Sequence, residues 1–229
     1  MAPRISVIIP IYNGAKSLMK SVQTVWDQDY PNFELILVND GSSDNSAQII
    51  DSIEGAVAIH QENKGVAAAR NAGIKAATGE FIALLDQDDL WHADKTRDQL
   101  AFLQENPDVE YVMGHWVHEL VGDGPAPSWV KPKVFDGPLP AWVFSSFLAR
   151  ASVFEKAGLL DEALRFGGDD VDWFSRTEHL GIKRVMEEKV VMTHVIHSDN
   201  LSAKTEPGNK ELLSIMRGVV ARRREKQND

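Results

Sequence analysis

No cysteine occurs in the 229 residues. Structural disulfides, thiolate nucleophiles and cysteine-based zinc or iron–sulfur sites are excluded together. Long apolar runs are missing too. The N-terminal "MAPRISVIIP" is too short for a signal peptide or a membrane span, and no later stretch reaches the roughly 20 apolar residues a spanning helix needs. Basic residues are the scarcer charge, 24 Lys and Arg against 34 Asp and Glu, for a formal net charge of −10. Affinity for phosphate backbones comes from clustered Lys and Arg, so nucleic acid is not an expected partner. The one basic run, "ARRREK" at Ala221 to Lys226, reads either as a solvated helix end with a frayed tail or as a patch for peripheral contact with a membrane surface. The expected location is cytoplasmic. Two common phosphate grips are also absent: there is no GxxxxGK[ST] loop, and no GxGxxG turn follows any strand-like segment. Classical NTPases and dinucleotide oxidoreductases are disfavoured.

What is present is an ordinary globular composition, 43% hydrophobic and 25% charged. It suits one sizeable α/β domain or two small ones. The first half alternates apolar β-branched runs with helical spacings. "ISVIIP", "FELILVND", "VAIHQE" and "EFIALLD" read as strands, the first as a strand buried on both faces. Between them, "GAKSLMKSVQTVWDQ", "SSDNSAQIIDSI" and "GVAAARNAGIKAA" read as helices, the second with Ser43 or Asp44 as a plausible N-cap. This order predicts a Rossmann-like, mainly parallel central sheet flanked by helices.

The second half is less regular. A helix, a break at Pro107 and a strand are expected in "DQLAFLQENPDVEYVMGHWV". Gly122 to Pro140 is Gly- and Pro-rich and reads as a long irregular loop or lid. A helix should start near Asp169 and stop at Gly181, and "IKRVMEEKVVMTHVIH" is strand-like. "ELLSIMRGVVARRR" is an amphipathic helix with Leu212, Leu213, Ile215, Met216, Val219 and Val220 on one side.

Open parallel sheets bind ligands beyond the carboxyl ends of their strands. Here those ends read Pro10-Ile11-Tyr12-Asn13, Asn39-Asp40-Gly41-Ser42, Gln61-Glu62-Asn63 and Asp86-Gln87-Asp88-Asp89. All four carry polar or acidic groups. The last is the sharpest, three carboxylates at the mouth of an apolar strand. Asp88 at a DxD spacing suits Mg²⁺ or Mn²⁺, which take oxygen ligands and share them with phosphate. A solvated acidic loop explains the motif equally well on its own, and Asp89 is expected to cap the helix of "DLWHADK".

Five segments together, "SVIIPIYNG", "FELILVNDGSSDNS", "NKGVAAARNAG", "GEFIALLDQDD" and "GLLDEALRFGGDDVDWFSR", follow the order and spacing of family 2 glycosyltransferases, which have the GT-A fold. The chain resembles that family over roughly residues 4 to 200 and is expected to form one GT-A domain. By the resemblance, 1–115 is the nucleotide-sugar half, 116–200 the smaller acceptor half with the catalytic base, and 201–229 a C-terminal amphipathic helix and tail. The resemblance implies that Pro10 and Tyr12 pack on the nucleotide base, that Asp40 accepts the imide N–H of uracil, and that Arg70 reaches toward the nucleotide. It places Asp86 and Gln87 along the ribose and Asp88 on Mn²⁺ or Mg²⁺. Asp170 is then the general base. Crowding by Asp169 and Asp172 would raise the pKa of one member of that cluster. Asp169 stands where the family usually has Glu, so altered acceptor contacts are expected there. His197 matches a histidine near the diphosphate or metal, with a hydrogen-bonded structural role as the alternative, and His194 is not expected to share its ligand. Trp116, Trp129 and Trp142 are candidates for stacking on the acceptor sugar.

The expected activity is inverting transfer of a single sugar from a nucleotide-sugar, UDP-linked by preference, to a saccharide or other hydroxyl acceptor. Processive members of the family carry a QxxRW-type motif and membrane helices, and neither is seen here. Two rivals stand beside this reading: a non-catalytic module of the same fold that holds a nucleotide or glycan, and a sugar-phosphate nucleotidyltransferase.

Overall fold

A computed structural model of the chain describes residues 2–121, 127, 130–165, 167–197, 200, 215, 217, 218 and 222. Trp129 and six other residues of the expected lid, 122–126 and 128, lie outside them, as do Leu212, Leu213, Met216, Val219 and Val220 of the expected C-terminal helix.

The alternating half folds as its periodicity requires. Strands β1 (Ile5–Ile11), β2 (Phe33–Asp40), β3 (Ala56–Gln61) and β4 (Phe81–Leu84) pair in parallel in the order β3-β2-β1-β4. Helices α1 (Leu18–Trp26), α2 (Ser46–Asp51) and α3 (Val66–Ala76) make the crossovers. β1 is buried along its whole length. Its odd-numbered residues Ile5, Val7, Ile9 and Ile11 enter one core with Leu18, Val22 and Val25 of α1, while Ile8 enters another with Ala67 and Ala69 of α3. A two-residue period on a sheet covered by helices on both faces forces that division. α3 lies very close to the sheet because its contact residues are small. A Cβ on Gly73 would stand 2.3 Å from Ile8 Cγ2, so any larger residue there would push the helix, and Arg70 with it, outward.

Beyond β4 the sheet becomes mixed. The remaining strands are β5 (Leu90–Trp91), β6 (Tyr111–Leu120), β7 (Leu139–Pro140), β8 (Leu148–Arg150) and β9 (Arg184–Ile196). The full order is β3-β2-β1-β4-β8-β6-β9-β5, with β7 on β6. β8 is antiparallel to both β4 and β6, β9 runs parallel to β6, and β5 antiparallel to β9. Helix α4 (Lys95–Glu105) follows β5, α5 (Val153–Ala157) follows β8, and α6 (Asp169–His179) precedes β9. An aromatic cluster of Tyr111, Phe144, Phe147, Phe154, Trp173 and Phe174 fills the space between this half-sheet and α6.

Three local expectations are revised. Asp89 caps no helix: β5 intervenes, and α4 begins only at Lys95, with Asp94 at its N-cap position. Within the expected loop Pro132–Phe135 is a short 3₁₀ turn and Leu139–Pro140 is β7, so its second part is locally ordered, and a further 3₁₀ turn, Phe144–Ser146, follows it. At α2 the N-cap position falls to Asn45, which makes no side-chain cap bond, while Asp44 Oδ1 accepts the Ser46 N–H at 3.0 Å.

Candidate active site

The four parallel strand ends meet, and their polar residues bond across one another. Gln87 binds the Tyr12 backbone twice: its Oε1 accepts the Tyr12 N–H at 2.9 Å and its Nε2 donates to the Tyr12 carbonyl at 3.1 Å. Asn13 Oδ1 accepts the Ser43 N–H at 2.8 Å, and Asp44 Oδ2 accepts the Ala15 N–H at 3.0 Å. Pro10 lies within β1, buried and in register with Val38, so of the pair Pro10 and Tyr12 only Tyr12, half exposed, presents a face to solvent.

Asp40 ends β2 and is buried. Its Oδ1 accepts from Gln61 Nε2 at 2.7 Å and Lys64 N at 2.8 Å, and its Oδ2 accepts from Gly65 N at 2.8 Å. A carboxylate has about four acceptor positions, so one remains for a ligand N–H. Asp40 therefore already holds the loop that leads into α3.

At the mouth of β4 each carboxylate has a separate partner. The Asp86 N–H donates to Ser145 Oγ at 3.1 Å, and the Asp86 carboxylate receives Arg70 Nη2 at 2.5 Å. Asp88 Oδ2 lies 2.9 Å from His197 Nε2 and 3.1 Å from Asn200 Nδ2. Asp89 is buried against His194 Nδ1 at 2.8 Å. Burial disfavours the charged ring of His194, but the Asp89 carboxylate, with Asp88 and Asp86 behind it, outweighs that and raises its pKa. Trp116 stacks on His194, and His118 meets both rings edge-on. Burial and the neighbouring His194 hold His118 below the ordinary imidazole value. The two histidines thus serve different aspartates, as their i,i+3 spacing on a strand suggests.

The Asp86 turn rests on a short ladder. Trp91 Nε1 donates to the Ser145 carbonyl at 2.7 Å, Gln99 Nε2 to that of Ser146 at 2.8 Å, and Lys95 Nζ to that of Phe147 at 3.0 Å. Lys95 is fully buried over the Trp91 ring, and burial holds its amine well below the ordinary lysine value.

On the other side stands α6. Asp169 is 1% exposed and receives Arg70 Nη1 at 2.7 Å, so it faces inward and not toward an acceptor. Asp170, half-buried, turns the other way. Burial and the adjacent Asp169 charge push its carboxyl up to about 7, against the opposing charge of Arg70. Asp172 is held by Arg176 at 2.9 Å and by Arg222 at 2.8 Å, and Ile215 is buried against Gly168. Gly168 has φ +82, and a Cβ there would meet Ile215 Cδ1 at 2.4 Å. Ile215 and Arg222 therefore brace the start of α6. Of the other candidate aromatics, Trp142 is covered on one face by Arg184, 5.1 Å from its ring centre, and meets Phe174 edge-on.

The sequence named Asp170, Asp88, His197, Asp86, Gln87, Tyr12, Asp40, Arg70 and Pro10, and all stand at or beside the joined strand ends. It missed Asn200 and Ser145 as partners of Asp88 and Asp86, Asp169 as the buried partner of Arg70, and the Asp89–His194 pair. Only the proximity of "SDN" to His197 hinted at Asn200.

A metal at Asp88 fits the donor set. One carboxylate oxygen with an imidazole nitrogen beside it leaves positions for phosphate oxygens and water, which is the usual manner of Mg²⁺ and Mn²⁺. Among the described residues no group of three His, Cys, Asp or Glu could hold a cation alone.

A parallel half-sheet joined to a mixed half, with acidic residues at the β4 mouth facing the acidic N-terminus of α6, fits the GT-A glycosyltransferase class. The profile described as glycosyl transferase family 2 matches residues 6–137, and the chain belongs to that family. It is 40% identical over 129 residues to glycosyltransferase GlyG of Streptococcus pneumoniae, covering 54% of this chain and 42% of GlyG. It is 33% identical over 185 residues to glycosyltransferase RT0329 of Rickettsia typhi, covering 76% of this chain and 58% of that protein. The chain spans only a fifth of a Rickettsia felis glycosyltransferase, 20% of its length at 37% identity over 123 residues. Among solved structures, S. aureus TarS in complex with UDP-GlcNAc superposes with a TM-score of 0.75 at 19% identity, covering 96% of this chain and 66% of TarS. That likeness shows the fold. Among the described residues no helix is long and apolar enough to cross a membrane.

Proposed function

We propose that the chain transfers one sugar from a UDP-linked donor to a hydroxyl acceptor, with inversion at the anomeric carbon. Asp170 takes the proton of the acceptor hydroxyl as that oxygen bonds the anomeric carbon. The bond from that carbon to the β-phosphate oxygen breaks, and its electron pair leaves with UDP. Inversion requires the base to act from the side opposite the leaving group. The exposed ring of Tyr12 packs on the uracil, the remaining acceptor position of Asp40 takes its imide N–H, and Asp86 and Gln87 border the ribose. Asp88, with His197 and Asn200 beside it, would hold Mn²⁺ or Mg²⁺ at the diphosphate. When bound, the cation neutralises charge developing on the departing phosphate. The acceptor, a saccharide or other hydroxyl compound, enters on the side of residues 116–200.

One observation carries the reading. The strand mouth bearing Asp86 and Asp88 and the helix start bearing Asp170 lie against each other, both within reach of one arginine, Arg70. A donor held at the first presents its anomeric carbon to the second. General-base catalysis contributes about 10²- to 10⁴-fold. Asp170→Asn should therefore lose turnover by about that factor in a UDP-release assay while binding UDP nearly as wild type. Retained turnover with lost UDP binding would overturn the assignment. The complex of TarS with UDP-GlcNAc supports a nucleotide-sugar donor for this fold.

A further inference from the structure

Arg70 is directed toward the nucleotide by family resemblance, yet its side chain is only 7% exposed and both terminal nitrogens are engaged by carboxylates. Nη2 meets Asp86 at 2.5 Å and Nη1 meets Asp169 at 2.7 Å. Beneath them the Phe144 ring lies 5.2 Å from Cζ, a cation–π contact that holds the guanidinium plane. A hydrogen bond to a nucleotide from either terminal nitrogen would have to replace one of these pairs.

The arrangement is an expensive way to fill space. Charges removed from water must recover their desolvation from one another, and apolar replacements of similar volume are often as stable. Here the recovery is incomplete, because Arg70 Nε and Asp169 Oδ1 are buried with no hydrogen-bond partner among the described residues. What the rigid fork of a guanidinium supplies, and an apolar cluster cannot, is a fixed distance between two separate carboxylates. Those carboxylates belong to different halves of the site: Asp86 to the donor strand mouth, Asp169 to the first turn of the base helix.

We infer that Arg70 is a positioning residue that locks the base helix to the donor strand mouth, so that Asp170 stands at the right distance from a donor bound beside Asp86. This rests on the reading of Asp170 as the base. Arg70 touches no substrate in this role and acts through Asp86 and Asp169.

The test uses two variants of the full chain. Arg70→Lys keeps the charge but replaces the fork with a single point that cannot span both partners. Arg70→Met combined with Asp169→Asn removes a cation and an anion together, so that Asp169 is not left buried and unpaired. Each is measured for its melting transition, for UDP affinity by calorimetry with Mn²⁺, and for kcat and KM of UDP release from whichever UDP-sugar wild type turns over fastest. Wild type and Asp170→Asn are run beside them. The expected result is a cooperative melt, UDP affinity and KM within about threefold of wild type, and kcat reduced about tenfold or more, because small misplacements of a reacting group cost that much. A folded variant with kcat within about twofold of wild type overturns the inference. So does a loss of UDP affinity that matches the loss in kcat, which would make Arg70 a nucleotide contact. If Asp170→Asn turns over like wild type, it is the base assignment that fails. If Asp170→Asn is inactive and the Arg70 variants are normal, only the role of Arg70 fails.

Discussion

Asp170 is under opposing demands. The proposed role as base needs ionisation, and burial beside Asp169 resists it, raising the group to about 7. Turnover should therefore climb about tenfold per pH unit below that value and flatten above it, as for any base that must first lose its proton. Stability runs the other way. The native carboxyl keeps its proton to higher pH than the unfolded chain's, whose value is about 3.9. Its contribution is fully present below about pH 4 and is lost as the pH rises through about 7. Rate and melting temperature measured between about pH 4.5 and 8.5 should move in opposite directions, and Asp170→Asn should abolish this contribution to both slopes. A rate profile with its midpoint at an ordinary carboxylate value would sink this account. The sequence was enough to bring forward the three acidic residues of this cluster. It could not say which of them faces solvent, because the deciding partner, Arg70, lies 99 residues before Asp169. Lys95 shows the same limit: in "HADKTRDQL" it looks like a surface lysine, and only tertiary packing buries it over Trp91.

At the level of elements, Asp40 connects the end of β2 to the loop before α3 by three accepted hydrogen bonds. Asp40→Ala leaves the Lys64 and Gly65 N–H groups without their acceptor, so a loss of about 1 to 3 kcal/mol in unfolding free energy is expected with weakened UDP binding. Were Asp40 a nucleotide contact alone, affinity would fall and denaturant unfolding would be unchanged. The alternation of strands and helices in the first half was readable because each segment carries either a helical period or an apolar run of at least four residues. β5 was not, since two residues carry no period. That omission explains the expectation of Asp89 as a helix cap: without a strand at Leu90 and Trp91, "DLWHADK" reads as the start of a helix. The Asp89–His194 pair likewise depends on β9 returning beside β5, a topology that no local pattern announces.

Across the whole molecule, residues distant in the chain converge on α6. Ile215 covers Gly168, and Arg222 joins Arg176 on Asp172. Ile215→Ala should cost about 2 to 4 kcal/mol by denaturant titration, the usual range for a buried aliphatic side chain. It should also lower kcat more than it lowers UDP affinity, because Ile215 braces α6 and not the parallel strand ends. Unchanged kcat in the folded variant would deny Ile215 a part in placing the base. Chelation is a second global test: EDTA should weaken UDP binding and turnover in wild type and have little further effect on Asp88→Ala, read by calorimetry and UDP release. One feature also bears on how this site can change over evolutionary time. The ladder from Trp91, Lys95 and Gln99 holds three successive carbonyls, at Ser145, Ser146 and Phe147. Its donors recognise the position of a residue along the chain and not its side chain. Substitution along that segment is limited by what each side chain packs against, whereas inserting or deleting a single residue would slip every rung at once. The mixed half of the sheet can lengthen its outer loops freely, but its spacing between Ser145 and Phe147 is fixed by counting.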